Sequence, residues 1–258
     1  MTRIAALQMV AAEGDVEKNL ATIERAASEA AAKGAALMVT PELAVTGYGA
    51  GDAIVKLAEP EGAALQQRLA AIAGKSGVAL VVGFAERDGG AVRNSALFTD
   101  GVRTVVYRKS HLYGAYERGL FEPGEPVAAM FEHAGMTFGM LICYDVEFPE
   151  NVRRLAQSGV EAVLVPTALP ASGHDELIAR KMIPVRAFEN QIFVAYVDHA
   201  GRDSRFAYAG LSGIAAPDGT MLAEAGAAGE ALLVADLVPA DYAASAAANT
   251  YLADLREG

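Results

Sequence analysis

Three times along this chain a run of helical spacing stops at a glycine and is followed at once by a short apolar segment. Ala31-Ala32-Lys33-Gly34 precedes Ala36-Leu37-Met38-Val39, Lys75-Ser76-Gly77 precedes Val78 to Phe84, and Gln157-Ser158-Gly159 precedes Ala162-Val163-Leu164-Val165. A glycine suits the left-handed residue just past a helix C-terminus, so each phrase reads as helix, stop, buried strand. Leu20, Ile23 and Ala27 recur at helical intervals in the first of these helices, and Leu65, Leu69 and Ile72 do so in the second. Such a chain must stack helices on sheets.

Other segments add strands without helices between them. From Ala91 to Arg108, Val92, Ala96, Phe98, Asp100-Gly101 and Val102 to Tyr107 read as two strands joined by a tight turn, which predicts antiparallel pairing. Met136 to Ile142 and Phe193 to Asp198 are further strands, and Gly210 to Ala215 with Met221 to Ala225 form a second hairpin about Asp218-Gly219. A mixed-sheet α/β fold with helices over the outer faces follows. At 258 residues, a layered fold of this kind is expected as a single domain spanning 1–258. Pro184 falls inside the helical stretch His174 to Asn190, which should kink or divide near Ile183. The Ala-rich tail from Val238 to Gly258 is a candidate for packing on a partner subunit.

Composition excludes several classes of function. Apolar residues make up 53% of the chain and charged ones 21%, as in a soluble globular protein. The longest apolar runs, Val78 to Phe84 and Met136 to Cys143, fall far short of the roughly 20 residues that a membrane span needs. Met1 to Val10 lacks a signal peptide's apolar core and reads as the first strand of a cytoplasmic protein. With 21 basic and 32 acidic residues the net charge is -11, and no basic cluster exceeds two residues, so no nucleic-acid footprint is present. The single Cys143 cannot form an internal disulfide, which fits a reducing compartment. His111, His133, His174 and His199 are too scattered for a zinc spacing. No metal or organic cofactor is expected.

Three segments carry reactive side chains at strand ends. Cys143 closes the strand in Gly139-Met140-Leu141-Ile142-Cys143-Tyr144-Asp145-Val146-Glu147-Phe148-Pro149-Glu150, and a helix opens at Phe148-Pro149 because proline is favoured in the first turn. A helix N-terminus nearby would favour the thiolate, and the N–H after the nucleophile can face an oxyanion. A lone buried cysteine is otherwise a small hydrophobe. Glu42 follows the strand Leu37-Met38-Val39, where a buried carboxylate has a raised pKa and can act as a base near neutral pH. Lys109 ends the hairpin strand in Val106-Tyr107-Arg108-Lys109-Ser110-His111-Leu112-Tyr113-Gly114, where an ammonium can stabilise a developing alkoxide.

Taken in order, Pro-Glu-x-x-x-Thr-Gly-Tyr, Tyr-Arg-Lys-x-His-Leu-x-Gly and Ile-Cys-Tyr-Asp-x-x-Phe-Pro-Glu resemble the nitrilase superfamily of carbon-nitrogen hydrolases. The first strand ending in Gln8 and Arg186-Ala187-x-Glu189-Asn190 resemble it too. The resemblance implies a four-layer αββα sandwich that forms a homodimer or larger assembly. It implies Cys143 as nucleophile, Glu42 as base, Lys109 and the Tyr144 N–H as oxyanion donors, and Glu117 as a second catalytic carboxylate. Candidate substrate contacts are Glu147, Tyr48, Tyr116 and Ala168.

Relatives acting on acidic substrates often carry Arg four residues after the cysteine, where it can grip a carboxylate. Here Glu147 reverses the sign, which disfavours an acidic substrate and favours a neutral or ammonium-bearing one. An ion pair of Glu147 with Arg153 or Arg154 is the competing reading. Together with Tyr251-Leu252-x-Asp254-Leu255-Arg256, the cysteine motif is most similar to bacterial 5-aminopentanamidase and stereoselective amidases. The expected reaction is hydrolysis of a small amide to acid and ammonia. A nitrilase or an N-carbamoyl amine hydrolase could use the same triad, although family nitrilases usually carry Trp after the cysteine and this chain has Tyr144. A non-catalytic binding protein on this fold would be expected to have lost a triad member, and none is lost.

Overall fold

The computed structural model describes residues 1–256. Strands β1 (Thr2–Gln8), β2 (Leu37–Val39), β3 (Ala79–Asp88), β4 (Ala91–Thr99) and β5 (Thr104–Arg108) build one sheet. A second contains β6 (Met130–His133), β7 (Met136–Met140), β8 (Ala162–Pro166), β9 (Phe193–Val197), β10 (Gly213–Ala215) and β11 (Met221–Glu224), and β12 (Ala231–Leu237) returns to lie beside β1. In each sheet three parallel strands form the middle, β1-β2-β3 and β7-β8-β9, with antiparallel strands outside them. The three helix-glycine-strand phrases lead into β2, β3 and β8, all of them in these parallel centres.

Alternation along β1 shows how the layers form. Ile4 and Ala6 face the second sheet, where Val39, Phe98, Phe138, Met140 and Val163 share one core, while Ala5 and Leu7 face outward. There they meet the apolar stripes of α1 (Val16–Ala32) and, beyond two turns of α2 (Asp52–Leu57), of α3 (Ala64–Ser76). Gly77 ends α3 in the left-handed conformation, with φ 70°, as the sequence predicts. The second sheet is covered on its outer side by α5 (Pro149–Gln157) and α7 (Ile183–Asn190), with Val152, Leu155, Ile183 and Ala187 buried in the same core. The result is the αββα sandwich.

The structure extends one expected strand and adds detail to two other elements. β3 runs on past Phe84 to Asp88 and turns directly into β4, pairing Asp88 with Ala91. The polar residues of that extension are used, since Glu86 accepts hydrogen bonds from Ser95 and Arg108 across the sheet. The helix before Asn190 divides at Ile183, but by widening rather than breaking: α6 (Asp175–Leu177) passes into a π-helical turn, Ile178–Met182, and then into α7. Pro184 lacks an N–H and would crowd the carbonyl four residues back, and a wider turn relieves both. Two aromatic residues of the tail pack on a strand and a helix of the same chain. Tyr242 lies against Phe193 and Tyr251 against Phe188, with ring centroids 5.3 and 5.7 Å apart.

One contact ties the sheet to the chemistry. A Cβ placed on Gly83 in β3 would lie 2.4 Å from the Pro41 carbonyl, 2.5 Å from the Leu43 nitrogen and 2.7 Å from the Glu42 Cα. The strand therefore presses directly on the loop that carries Glu42. Gly83→Ala should cost about 1 to 3 kcal/mol through overpacking and lower kcat by about tenfold or more as Glu42 shifts from its productive position. Thermal melts and steady-state rates check this; unchanged values would show that the loop yields freely.

Candidate active site

Four reactive side chains converge beyond the ends of the parallel strands, where open α/β sheets commonly place their sites. Glu42 stands three residues past β2, Lys109 directly follows β5, and Glu117 lies in the helix α4 (Gly114–Leu120). Cys143 opens a 3-10 turn, Cys143–Glu147, between β7 and α5. β7 ends at Met140, so the thiol belongs to the turn and not to the strand. All four side chains are buried.

Lys109 is the hub. Its Nζ donates to Glu42 Oε1 at 2.7 Å and to Glu117 Oε1 at 2.7 Å. Glu42 Oε1 also accepts from Asn94 Nδ2 at 2.7 Å, while Oε2 is buried without a hydrogen-bond partner among the described residues. Asn94 Oδ1 is likewise without a partner, so Oε2 is the one free carboxylate oxygen of the cluster among the described residues. Glu117 is fixed by the Tyr48 hydroxyl at 2.8 Å and the Tyr113 N–H at 2.8 Å. The main chain of Glu42 is held as well: its N–H donates to the Thr167 carbonyl at 3.2 Å, and its carbonyl accepts from His199 Nε2 at 2.7 Å.

Cys143 adopts φ 45°, a left-handed conformation that costs a non-glycine residue on the order of 1 kcal/mol or more and needs support from its surroundings. Two residues supply it. Buried Asp145 accepts the Ile142 N–H, the Tyr107 hydroxyl at 2.9 Å, the Ser110 hydroxyl at 2.9 Å and the His111 N–H at 2.8 Å. It thereby joins the nucleophile turn to the segment that carries Lys109. Arg186 of α7 grips the far end, donating from Nε to the Val146 carbonyl at 2.9 Å and from Nη2 to the Glu147 carbonyl at 2.7 Å.

Burial decides the proton inventory. It pushes Glu42 up to about 7, aided by the Glu117 charge and opposed by Lys109 and Asn94. Burial would also discharge Lys109, but Glu42 and Glu117 outweigh it and hold the ammonium well above its usual range. The Cys143 thiol is pushed well up by burial and by Glu42, against Lys109 and the Ala168 N–H. The sequence predicts a thiolate favoured by a helix N-terminus, and the opposite holds, because desolvation exceeds the help from any nearby dipole. The resting site is thus a thiol beside an ammonium, with a carboxylate that titrates near neutrality.

Cys143, Tyr144 and Glu147 face a cavity of about 370 Å³ whose apolar wall includes Leu169, Pro170, Ile178 and Met182. Three candidate substrate contacts are not on its wall. The Tyr48 phenol is used by Glu117, and Tyr116 donates to the Tyr48 carbonyl at 2.7 Å while accepting the Gly51 N–H at 3.1 Å. Ala168 is buried, and its N–H lies near enough to the thiol to oppose the rise in its pKa. These residues support the site from behind. Glu147 makes no ion pair with Arg153 or Arg154 among the described residues; Arg153 and Arg186 pair with Glu189 instead. Asn94, Asp145 and His199 were not singled out from the sequence. A polar Asn94 inside an otherwise apolar strand and Asp145 within the cysteine motif are the signals that could have found two of them.

The geometry yields a pH dependence. Glu42 accepts a proton only when ionised, so kcat/KM should fall as pH drops through about 7. A pH-rate profile with a neutral amide checks this limb. Its absence between pH about 5 and 9 would remove Glu42 from the role of base.

The chain matches the carbon-nitrogen hydrolase family over residues 3–247. It is 41% identical over 260 residues to a hydrolase encoded in the pqqF 5′ region of Pseudomonas protegens, covering 98% of this chain and 89% of that one. A (R)-stereoselective amidase from a Pseudomonas species is 36% identical over 229 residues, covering 87% and 81% respectively. A mutant of the Nesterenkonia sp. AN1 amidase, solved with the acetamide moiety of fluoroacetamide added covalently at its active site cysteine, superposes with a TM-score of 0.87 at 35% identity, covering 99% of this chain and 94% of that one. Fold, order of motifs and full-length similarity agree, and this chain belongs to the carbon-nitrogen hydrolase family of the nitrilase superfamily.

Proposed function

We propose that the protein is an amidase that converts a small aliphatic amide, preferentially one bearing an amino group, to a carboxylic acid and ammonia through a Cys143 thioester. The observation that carries this reading is the buried Glu42–Lys109–Glu117 cluster behind a thiol that opens onto a cavity. The amidase relatives agree with it.

The steps follow from the proton inventory. Because the thiolate is disfavoured at rest, the thiol proton passes to Glu42 as sulfur attacks the amide carbon, leaving no free thiolate to stabilise. Negative charge moves to the carbonyl oxygen, which the Lys109 ammonium and the Tyr144 N–H can receive. Glu42 returns the proton to the departing nitrogen, and ammonia leaves the thioester. Water then gives a proton to Glu42 and attacks the thioester carbon. Collapse releases the acid and restores the thiol.

Glu147 sets the preferred substrate. Its carboxylate lines the cavity with Cys143 and has no ion pair among the described residues. Burial raises its pKa, against Lys109 and Arg186. A substrate ammonium would compensate that half-buried charge, and the same feature would serve an N-carbamoyl amine as a second reading.

Cys143→Ala should leave the fold intact and abolish ammonia release, with kcat falling by several orders of magnitude. Turnover near wild type would sink the mechanism. Across a panel of cationic, neutral and anionic amides, wild type should favour cationic ones by roughly ten- to a hundredfold in kcat/KM, and Glu147→Gln should erase that preference while sparing neutral amides. A preference for anionic amides, or an unchanged ranking in Glu147→Gln, would leave the amidase reading standing and remove the amino-amide assignment.

A further inference from the structure

Just past β9 stand Asp198 and His199, consecutive buried titratable residues to which the reaction assigns no step. Each reaches a different arm of the site. His199 Nε2 donates to the Glu42 carbonyl at 2.7 Å, and Asp198 Oδ1 accepts the Leu169 N–H at 2.8 Å. Between these arms, the Thr167 N–H donates to the Val197 carbonyl at 2.9 Å, and the Thr167 carbonyl accepts the Glu42 N–H at 3.2 Å. Ala168, flanked by Thr167 and Leu169, brings its N–H near the Cys143 thiol, where it opposes the rise in the thiol's pKa. One short segment therefore touches base and nucleophile together, and the end of β9 clamps it on both sides.

Asp198 has no cationic partner among the described residues, and its Oδ2 is buried without a hydrogen bond. Burial pushes its carboxyl well above the usual range, against the N–H groups of Leu169, His199 and Gly210. Ser212 secures the strand end by accepting the Asp198 N–H on its hydroxyl at 2.9 Å. The feature in use is a fixed acceptor oxygen and not a charge.

We infer that Asp198 is a positioning residue: by holding the Leu169 N–H it fixes the Thr167–Leu169 segment, and with it the Glu42 main-chain contact, the Ala168 N–H near Cys143 and the cavity wall at Leu169. This rests on Cys143 being the nucleophile.

The test compares Asp198→Asn and Asp198→Ala by thermal melting, by the pH dependence of Cys143 alkylation with iodoacetamide, and by kcat and KM for a neutral amide. Asp198→Asn retains the acceptor and should keep the wild-type alkylation profile, with kcat within about twofold. Asp198→Ala, assayed below its melting temperature, should shift the alkylation midpoint to higher pH and lower kcat by about tenfold. Should Asp198→Ala fail to fold, Ser212→Ala loosens the same strand end and should shift alkylation in the same direction. A wild-type alkylation profile in the folded Asp198→Ala variant, or in Ser212→Ala when that variant is the one measured, overturns the inference. Equal loss in Asp198→Asn and Asp198→Ala overturns it too, since charge would then be the working feature. Alkylation reads the thiol directly, so failure of the amidase reading, seen as turnover in Cys143→Ala, stays distinguishable from failure here.

Discussion

A lysine ammonium sealed away from water between two carboxylates is the interaction on which the rest of this molecule depends. Removing such charges from water costs several kcal/mol per ion, and the cost is recovered only if the partners are held at hydrogen-bond distance and their other lone pairs are occupied. Lys109 meets both carboxylates at 2.7 Å, and Asn94, Tyr48 and the Tyr113 N–H occupy most of the remaining positions. Glu42 Oε2 and Asn94 Oδ1 are the exceptions among the described residues, and Oε2 is the free carboxylate oxygen that the proposed mechanism uses. Losing Lys109 would leave two buried carboxylates facing each other, so catalytic and structural roles of this residue cannot be separated by simple deletion.

The same enclosure explains why the thiol is not activated in advance. With the cluster already carrying negative charge, a thiolate would add another in a region of low dielectric. The proposed mechanism instead couples ionisation to bond formation, which places strict demands on position. Those demands are met by residues distant in sequence: Asp145 joins the nucleophile turn to the Lys109 segment, Arg186 holds the end of that turn, and His199 holds the Glu42 main chain. The left-handed backbone at Cys143 persists because these contacts over-determine it.

Chemistry and recognition occupy different depths. Glu42, Lys109 and Glu117 are fully buried, whereas Tyr144, Glu147 and the apolar wall from the π-helical turn line the cavity. Substrate preference can therefore vary at Glu147, Ile178 or Met182 without disturbing the buried cluster. A π-helical turn at a cavity wall is a recurrent functional use of that otherwise rare geometry. Here Pro184 supplies its local cause.

Much of this was legible in the chain itself. The helix-glycine-strand phrases located β2, β3 and β8, because a glycine helix stop and an uninterrupted apolar strand are local properties. The ordered motifs that resemble the nitrilase superfamily single out Glu42, Lys109 and Cys143; their places near strand ends do not by themselves separate them from ordinary buried or surface residues. Tertiary structure alone decided the rest. Whether Cys143 is held as thiol or thiolate depends on desolvation and on charges brought in from Glu42 and Lys109, which no local pattern encodes. Tyr48 and Tyr116 lie near the motif in sequence, yet their hydroxyls turn to Glu117 and the main chain and not to the cavity. Glu147 lines the cavity without an ion pair among the described residues, while Arg153 and Arg186 pair with Glu189. Sequence determines which groups exist and which elements carry them; packing of distant elements determines which groups meet, and with that their charge, their partners and their access to a substrate.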